Sequence, residues 1–115
     1  MTVNQKIEEA LKDIGCPVEL DLYEGDENVS ITYHEESEQT YLFGDQRPQE
    51  TVYEMQIHLC VPPGYNYFEI KDKIKWRLLE TGFSWPEVEL LMDEEYRFRL
   101  IVFKCQISIP EERKV

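Results

Sequence analysis

Apolar residues near the start of the chain recur at helical spacing. Val3, Ile7, Ala10, Leu11 and Ile14 fall on one stripe of a 3.6-residue period, which predicts an amphipathic helix. Thr2 stands where a capping hydroxyl is wanted, and Gly15 followed by Pro17 ends the pattern. The period then drops to two. Val18, Leu20 and Leu22 alternate with Glu19, Asp21 and Tyr23, and Val29, Ile31 and Tyr33 alternate with Ser30, Thr32 and His34. Each run reads as a strand with one wet face and one buried face. Glu24-Gly25-Asp26-Glu27-Asn28 between them is a turn composition, so an antiparallel hairpin is expected.

Positions 35–50 show no clean period and read as a flexible loop, yet they carry three adjacent large apolar residues, Tyr41, Leu42 and Phe43. A plain solvated linker does not need them. Positions 51–61 are the clearest strand, with Tyr53, Met55, Ile57, Leu59 and Val61 on one side and Glu54, Gln56 and His58 on the other. Pro62-Pro63-Gly64 stops it. Asn66 then stands as an N-cap with Glu69 as its capping-box partner, and Tyr67, Ile70, Ile74 and Leu78 form the inner stripe of a second helix. Gly82 reads as the residue just past its end, with Phe83 as the accompanying apolar contact. Val88, Leu90 and Met92 alternate with Glu87 and Glu89, and Asp93-Glu94-Glu95 makes a turn into a last strand from about Tyr96 to Ile109. The apolar phase of that strand changes from even to odd positions, so either a β-bulge re-aims it or its middle is buried on both faces; a central strand with a bulge is the preferred reading. Positions 110–115 read as a frayed tail. The order is α-β-β-β-α-β-β: one α+β domain over 1–115, with two helices packed on a mainly antiparallel sheet of about five strands.

Charge narrows the range of partners. Twenty-four acids oppose 12 bases, a net charge of −12. Between positions 19 and 50 there are ten acids and one base, and between 97 and 115 five bases and two acids. Such a surface repels a phosphate backbone, so neither direct nucleic-acid affinity nor adhesion to an anionic membrane is expected. It suits pairing with basic protein surfaces or head-to-tail packing with further copies. No run approaches the roughly 20 apolar residues that span a bilayer, and Cys16, Cys60 and Cys105 read as free thiols in a reducing cytoplasm.

Residues able to do chemistry are sparse. His58 and Cys60 share a strand face and could supply two metal ligands, with Cys105 or a carboxylate as others, but no close second pair completes a zinc set. His34-Glu35-Glu36 lacks the later histidine of a His-Glu-x-x-His helix, since position 38 is Glu38. No glycine-rich phosphate loop exists, and a cysteine nucleophile has no positive surroundings to lower its pKa. No catalytic residue and no cofactor are therefore expected. The aromatic residues Tyr65, Tyr67, Phe68, Trp76, Phe83 and Trp85 read either as a contact patch or as core caps, and both readings stay open.

The run from Val52 to Val61, Pro62-Pro63-Gly64-Tyr65-Asn66, and the helix ending Leu78-Leu79-Glu80-Thr81-Gly82-Phe83 together resemble the small tail-completion or tail-terminator proteins of long-tailed phages and prophages. The hairpin with Ile31-Thr32-Tyr33 and the segment through Gly44-Asp45 resemble that family too. The resemblance covers most of the chain at the level of pattern. It implies a non-enzymatic virion component that forms a ring, often a hexamer, contacts tail-tube and head-connector proteins, and passes from the bacterial host's cytoplasm into the virion. No catalytic residue comes with it. Candidate contact residues are Tyr41, Leu42, Phe43, Arg47, Trp76, Trp85, Arg97 and Arg99. Two other functions compete: an acidic inhibitor, immunity or DNA-mimic protein that binds a basic partner, and a small metal-dependent regulator or enzyme using His58 and Cys60.

Overall fold

The computed structural model describes residues 1–43 and 47–111, with side chains placed outside 43–48. Helix α1 spans Val3–Ala10, and a capping box opens it: the Thr2 hydroxyl accepts from the Gln5 amide while Gln5 Oε1 accepts from the Thr2 amide. The helix is shorter than its apolar stripe. Asp13 and Gly15 take left-handed backbone angles, φ 60° and 103°, which unwind the chain while Leu11 and Ile14 stay buried.

Strands β1 (Val18–Leu20), β2 (Ser30–Phe43), β3 (Arg47–Val61), β4 (Glu87–Asp93) and β5 (Phe98–Pro110) form one sheet in the order β1-β2-β3-β5-β4, with helix α2 (Phe68–Glu80) between β3 and β4 in sequence. The α+β architecture and element order match the pattern read from the sequence. Three local expectations do not.

First, β1 pairs with β2 in parallel, Val18 opposite Ile31 and Leu20 opposite Tyr33, instead of forming an antiparallel hairpin. Asp21 at φ 64° breaks the strand, and the Leu22 amide bonds back to the Leu20 carbonyl at 2.7 Å, so the chain turns away before re-entering beside β1. Second, residues expected as a loop over 35–50 are paired strand wherever the backbone is described, from Ser37 opposite Glu54 to Phe43 opposite Arg47. A register shift between Glu35 and Ser37 interrupts the alternation. Third, β5 carries no bulge: its pairing with both β3 and β4 is continuous, and its middle is buried on both faces. The tail beyond Glu111 lies outside the described residues.

Both helices pack on one face of the sheet. That face carries Ile31, Tyr33, Met55, Ile57, Leu59, Ile101, Phe103, Cys105 and Ile107, and the helices contribute Ile7, Leu11, Ile74 and Leu78. Helix α2 ends in a Schellman motif, with the Phe83 amide on the Leu78 carbonyl at 3.0 Å and the Gly82 amide on Leu79 at 3.1 Å. Gly82 at φ 107° makes this turn, and Phe83 is buried as the matching contact. The start of α2 differs from expectation. Tyr67 is the cap and its side chain makes no capping bond, while Asn66 Oδ1 accepts from the Phe68 amide at 3.3 Å. Arg77 reaches the Lys12 carbonyl, and the Tyr33 hydroxyl donates to Glu8 at 2.7 Å, so the helices are tied to each other and to the sheet.

Among the described residues the pairing of β5 with β3 ends where Glu50 faces Pro110, and β2 and β3 pair on as an arm to Phe43 opposite Arg47. The molecule is correspondingly long, 54 × 25 × 25 Å.

Candidate interaction surfaces

The arm brings Tyr41 and Leu42 into solvent. They are exposed although large and apolar, because no helix or further strand among the described residues covers the ribbon there. The side chains of Phe43 and Arg47, also expected to make contacts, lie outside the described residues; their backbones pair with each other. Glu35, Glu36 and Glu38 are exposed along the same strand. At the base of the arm the buried Thr51 hydroxyl bonds Thr40 Oγ1 at 2.8 Å and also donates to Glu111. The Glu111 amide returns a bond to the Gln49 carbonyl at 2.9 Å, which fastens β3 to the end of β5.

A second surface lies on the helix side. Trp76 on α2 and Trp85 before β4 meet edge to face, ring centroids 5.1 Å apart, and are 55% and 46% exposed. Lys75 Nζ sits 5.4 Å from the Trp85 ring centroid, and Lys71 Nζ 4.8 Å from that of the exposed Phe68. The aromatic residues thus divide. Tyr67 and Phe83 serve the core, while Trp76, Trp85 and Phe68 form an outward patch with lysines set over its rings.

The two remaining arginines part company. Arg97 occupies the β4–β5 turn at φ 57° and is exposed. Arg99 is half-buried; its Nη1 donates to the Tyr67 hydroxyl at 3.2 Å and its guanidinium lies over that ring, so it ties the start of α2 to β5.

The opposite face of the sheet carries no helix among the described residues. Cross-strand pairing places His58 beside Val102, Cys60 beside Leu100, and Thr32 beside His58 there. Cys105 pairs with Met55 on the helix-covered face, so it cannot join His58 and Cys60 around one ion. His58 instead packs edge to face on His34, centroids 5.2 Å apart, and bonds Gln56 Oε1 at 2.8 Å. Burial, and then the neighbouring His34, hold the His58 pKa below its ordinary 6.5. The neutral ring is thus favoured in the fold, and its contribution to stability is present above pH 6.5 and lost as pH falls below it. A two-dimensional NMR titration is expected to give a His58 midpoint under 6.5, and His34→Asn to move it upward. An unshifted midpoint would count against this packing.

One surface escaped the sequence reading. Leu90, Leu91 and Met92 on the edge strand β4 are each 45% or more exposed, and Leu20 and Leu22 lie exposed at the other edge. Three adjacent apolar residues on β4 were the available signal, because alternation can bury only every second one.

The comparisons with known proteins bear on this geometry. No protein-family model matches the chain, and no curated protein sequence matches it. Among solved structures, a chain described as from the virion of a native gene transfer agent (GTA) particle superposes with a TM-score of 0.57 at 9% identity. The match covers 95% of this chain and 92% of that one. At that identity the likeness establishes the fold. No helix among the described residues is long and apolar enough to cross a membrane.

Proposed function

We propose that this chain is a structural protein of a phage or prophage virion, a tail terminator or head–tail joining subunit that acts without catalysis by assembling into a ring. The observation that carries the reading is the arrangement of exposed apolar side chains. Among the places where they occur are the arm (Tyr41, Leu42), the α2 face (Phe68, Trp76, Trp85) and the two sheet edges (Leu90, Leu91 and Met92 on β4; Leu20 and Leu22 at β1), on a chain whose fold is shared with a virion component. Separate, unlike patches are what a heterologous interface needs, since one patch must meet a different one on the next subunit. A standard interface uses about 800 Å² per partner. Two such patches take about a fifth of the 7862 Å² available, so a ring leaves surface for tail-tube and head-connector partners. On this reading the protein assembles in the cytoplasm of the bacterial host and remains in the virion.

Co-expression with the tail-tube and head-connector proteins that this reading requires, followed by electron microscopy and light scattering, tests the proposal. Rings or capped tubes containing the chain are expected. A chain that binds neither protein would sink it, and a salt-sensitive one-to-one complex with a basic protein would favour the inhibitor alternative.

A further inference from the structure

We propose that His34 and His58 form a two-imidazole site for a divalent transition-metal ion of the nickel, copper and zinc group, on the sheet face opposite the helices. The proposal is independent of the assembly reading, and neither needs the other. The chain's two histidines are far apart in sequence and are brought together by the pairing of β2 with β3, in which Thr32 faces His58 and His34 faces Gln56. Their rings meet edge to face, with centroids 5.2 Å apart and planes at 77°. Ring nitrogens about 2.1 Å from a tetrahedral ion place two imidazole centroids about 5 Å apart. The backbone therefore already holds the rings at the separation that chelation requires. What remains is rotation of the two side chains about their own bonds.

The hydrogen bond made by His58 supports the same site. Gln56 Oε1 is a carbonyl oxygen and only accepts, so His58 Nε2, 2.8 Å away, donates to it. The proton is thereby fixed on Nε2, and the neutral ring keeps its lone pair on Nδ1. Histidines that ligate metals are characteristically oriented by an acceptor on their other ring nitrogen, which is the part Gln56 plays here. Burial and the neighbouring His34 favour the neutral, ligating form of the ring. Lys104, the base opposite Gln56, reaches to Glu89 on the next strand at 3.7 Å, and the chain's net charge of −12 draws cations in general. No group of three or more His, Cys, Asp or Glu side chains suited to a metal occurs among the described residues, so water fills the other positions and the ion exchanges freely. Imidazole also sets the choice of ion, since Mg²⁺ and Ca²⁺ take oxygen ligands.

Calorimetric titration of the full chain with Ni²⁺ tests the proposal, at about pH 7.5, above the ordinary imidazole range, and with excess Mg²⁺ to occupy carboxylates. Ni²⁺ suits imidazole and does not oxidise the free thiols of Cys16 and Cys60. Saturable binding of one ion per chain is expected. His34→Asn and His58→Asn should each weaken it at least about 10-fold, and Gln56→Ala about 10-fold, with Gln56→Glu restoring it because an acceptor returns. Cys60→Ser should bind as the unaltered chain does, which separates this site from a His58–Cys60 pair. Thermal melts check that the variants fold. NMR of the unaltered chain needs no variant: paramagnetic Ni²⁺ should broaden the amide signals around His34 and His58 first. Absence of saturable binding, binding indifferent to either histidine, loss in Cys60→Ser, or broadening centred on carboxylates elsewhere would each overturn the site and leave the assembly reading standing.

Discussion

Phe103→Ala is expected to lower the unfolding free energy by about 3–5 kcal/mol. Phe103 is 0% exposed in β5, with Ile57 opposite on β3 and Val88 opposite on β4. Its ring therefore sits where three strands meet beneath the helices. Removing it takes away buried apolar area and leaves a cavity that the flanking strands cannot close, because continuous ladders hold them on both sides. Against a total stability of about 5–15 kcal/mol, the loss is a large share. At a slope near 2 kcal/mol per molar, the urea midpoint should fall by about 2 M. Lys104→Ala, one residue on and pointing to the helix-free face, should change it by less than about 0.5 kcal/mol, since its contact with Glu89 at 3.7 Å is exposed. Equal effects from the two would show that β5 does not present alternate residues to the core as described.

The second large effect concerns alkaline pH. Burial pushes the Cys105 thiol from its ordinary 9.0 up to about 12. The folded chain therefore keeps the proton that the unfolded chain releases. Stability from this group is fully present below pH 9 and is lost as pH rises toward 12. At about 1.4 kcal/mol per pKa unit, the loss reaches on the order of 4 kcal/mol across that window. Tyr33 acts in the same direction above pH 10, raised by burial and by its bond to Glu8, so the thiol must be isolated by comparison. In Cys105→Ala the fall in stability between pH 9 and 10.5 should be smaller than in the unaltered chain, the remainder coming from Cys16 and Cys60, whose thiols burial also pushes up. A thiol reagent at pH 8 should modify the half-buried Cys16 and Cys60 well before Cys105. Rapid labelling of Cys105 in the native chain would refute its placement.

How much of this could be read from residues alone depends on whether local pattern carried the information. Both helices were legible, because a 3.6-residue stripe exists only if one face is to be buried, and Gly82-Phe83 announced its own turn geometry. The arm was not. Glu35 and Ser37 straddle a register shift that flips the phase of alternation, and beyond it the described β2 side chains from Ser37 to Leu42 are all exposed, so burial marks neither face of that strand. The direction of β1 was equally hidden, since alternation says which face is buried and nothing about the partner's direction. In β5 the mixed phase was correctly traced to a central strand. Its cause is burial at Val102 on the helix-free face as well as at Ile101 and Phe103 on the core face, with no bulge required.

The contact residues sort in the same way. Tyr41, Leu42, Trp76, Trp85 and Arg97 stand exposed, whereas Arg99 is half-buried and bonds Tyr67 within the molecule. Nothing in the order of residues distinguishes the two arginines, because position 67 reaches position 99 only when α2 is laid on the sheet. By itself the chain's sequence determined its class, its helices, its acidic character and most of its buried set, all of which follow from short-range periodicity and composition. Tertiary structure decided strand direction, the extent of the arm, the opposite faces of Cys60 and Cys105, and which aromatics remain exposed. These depend on pairings between residues far apart in the chain, and local patterns cannot encode them.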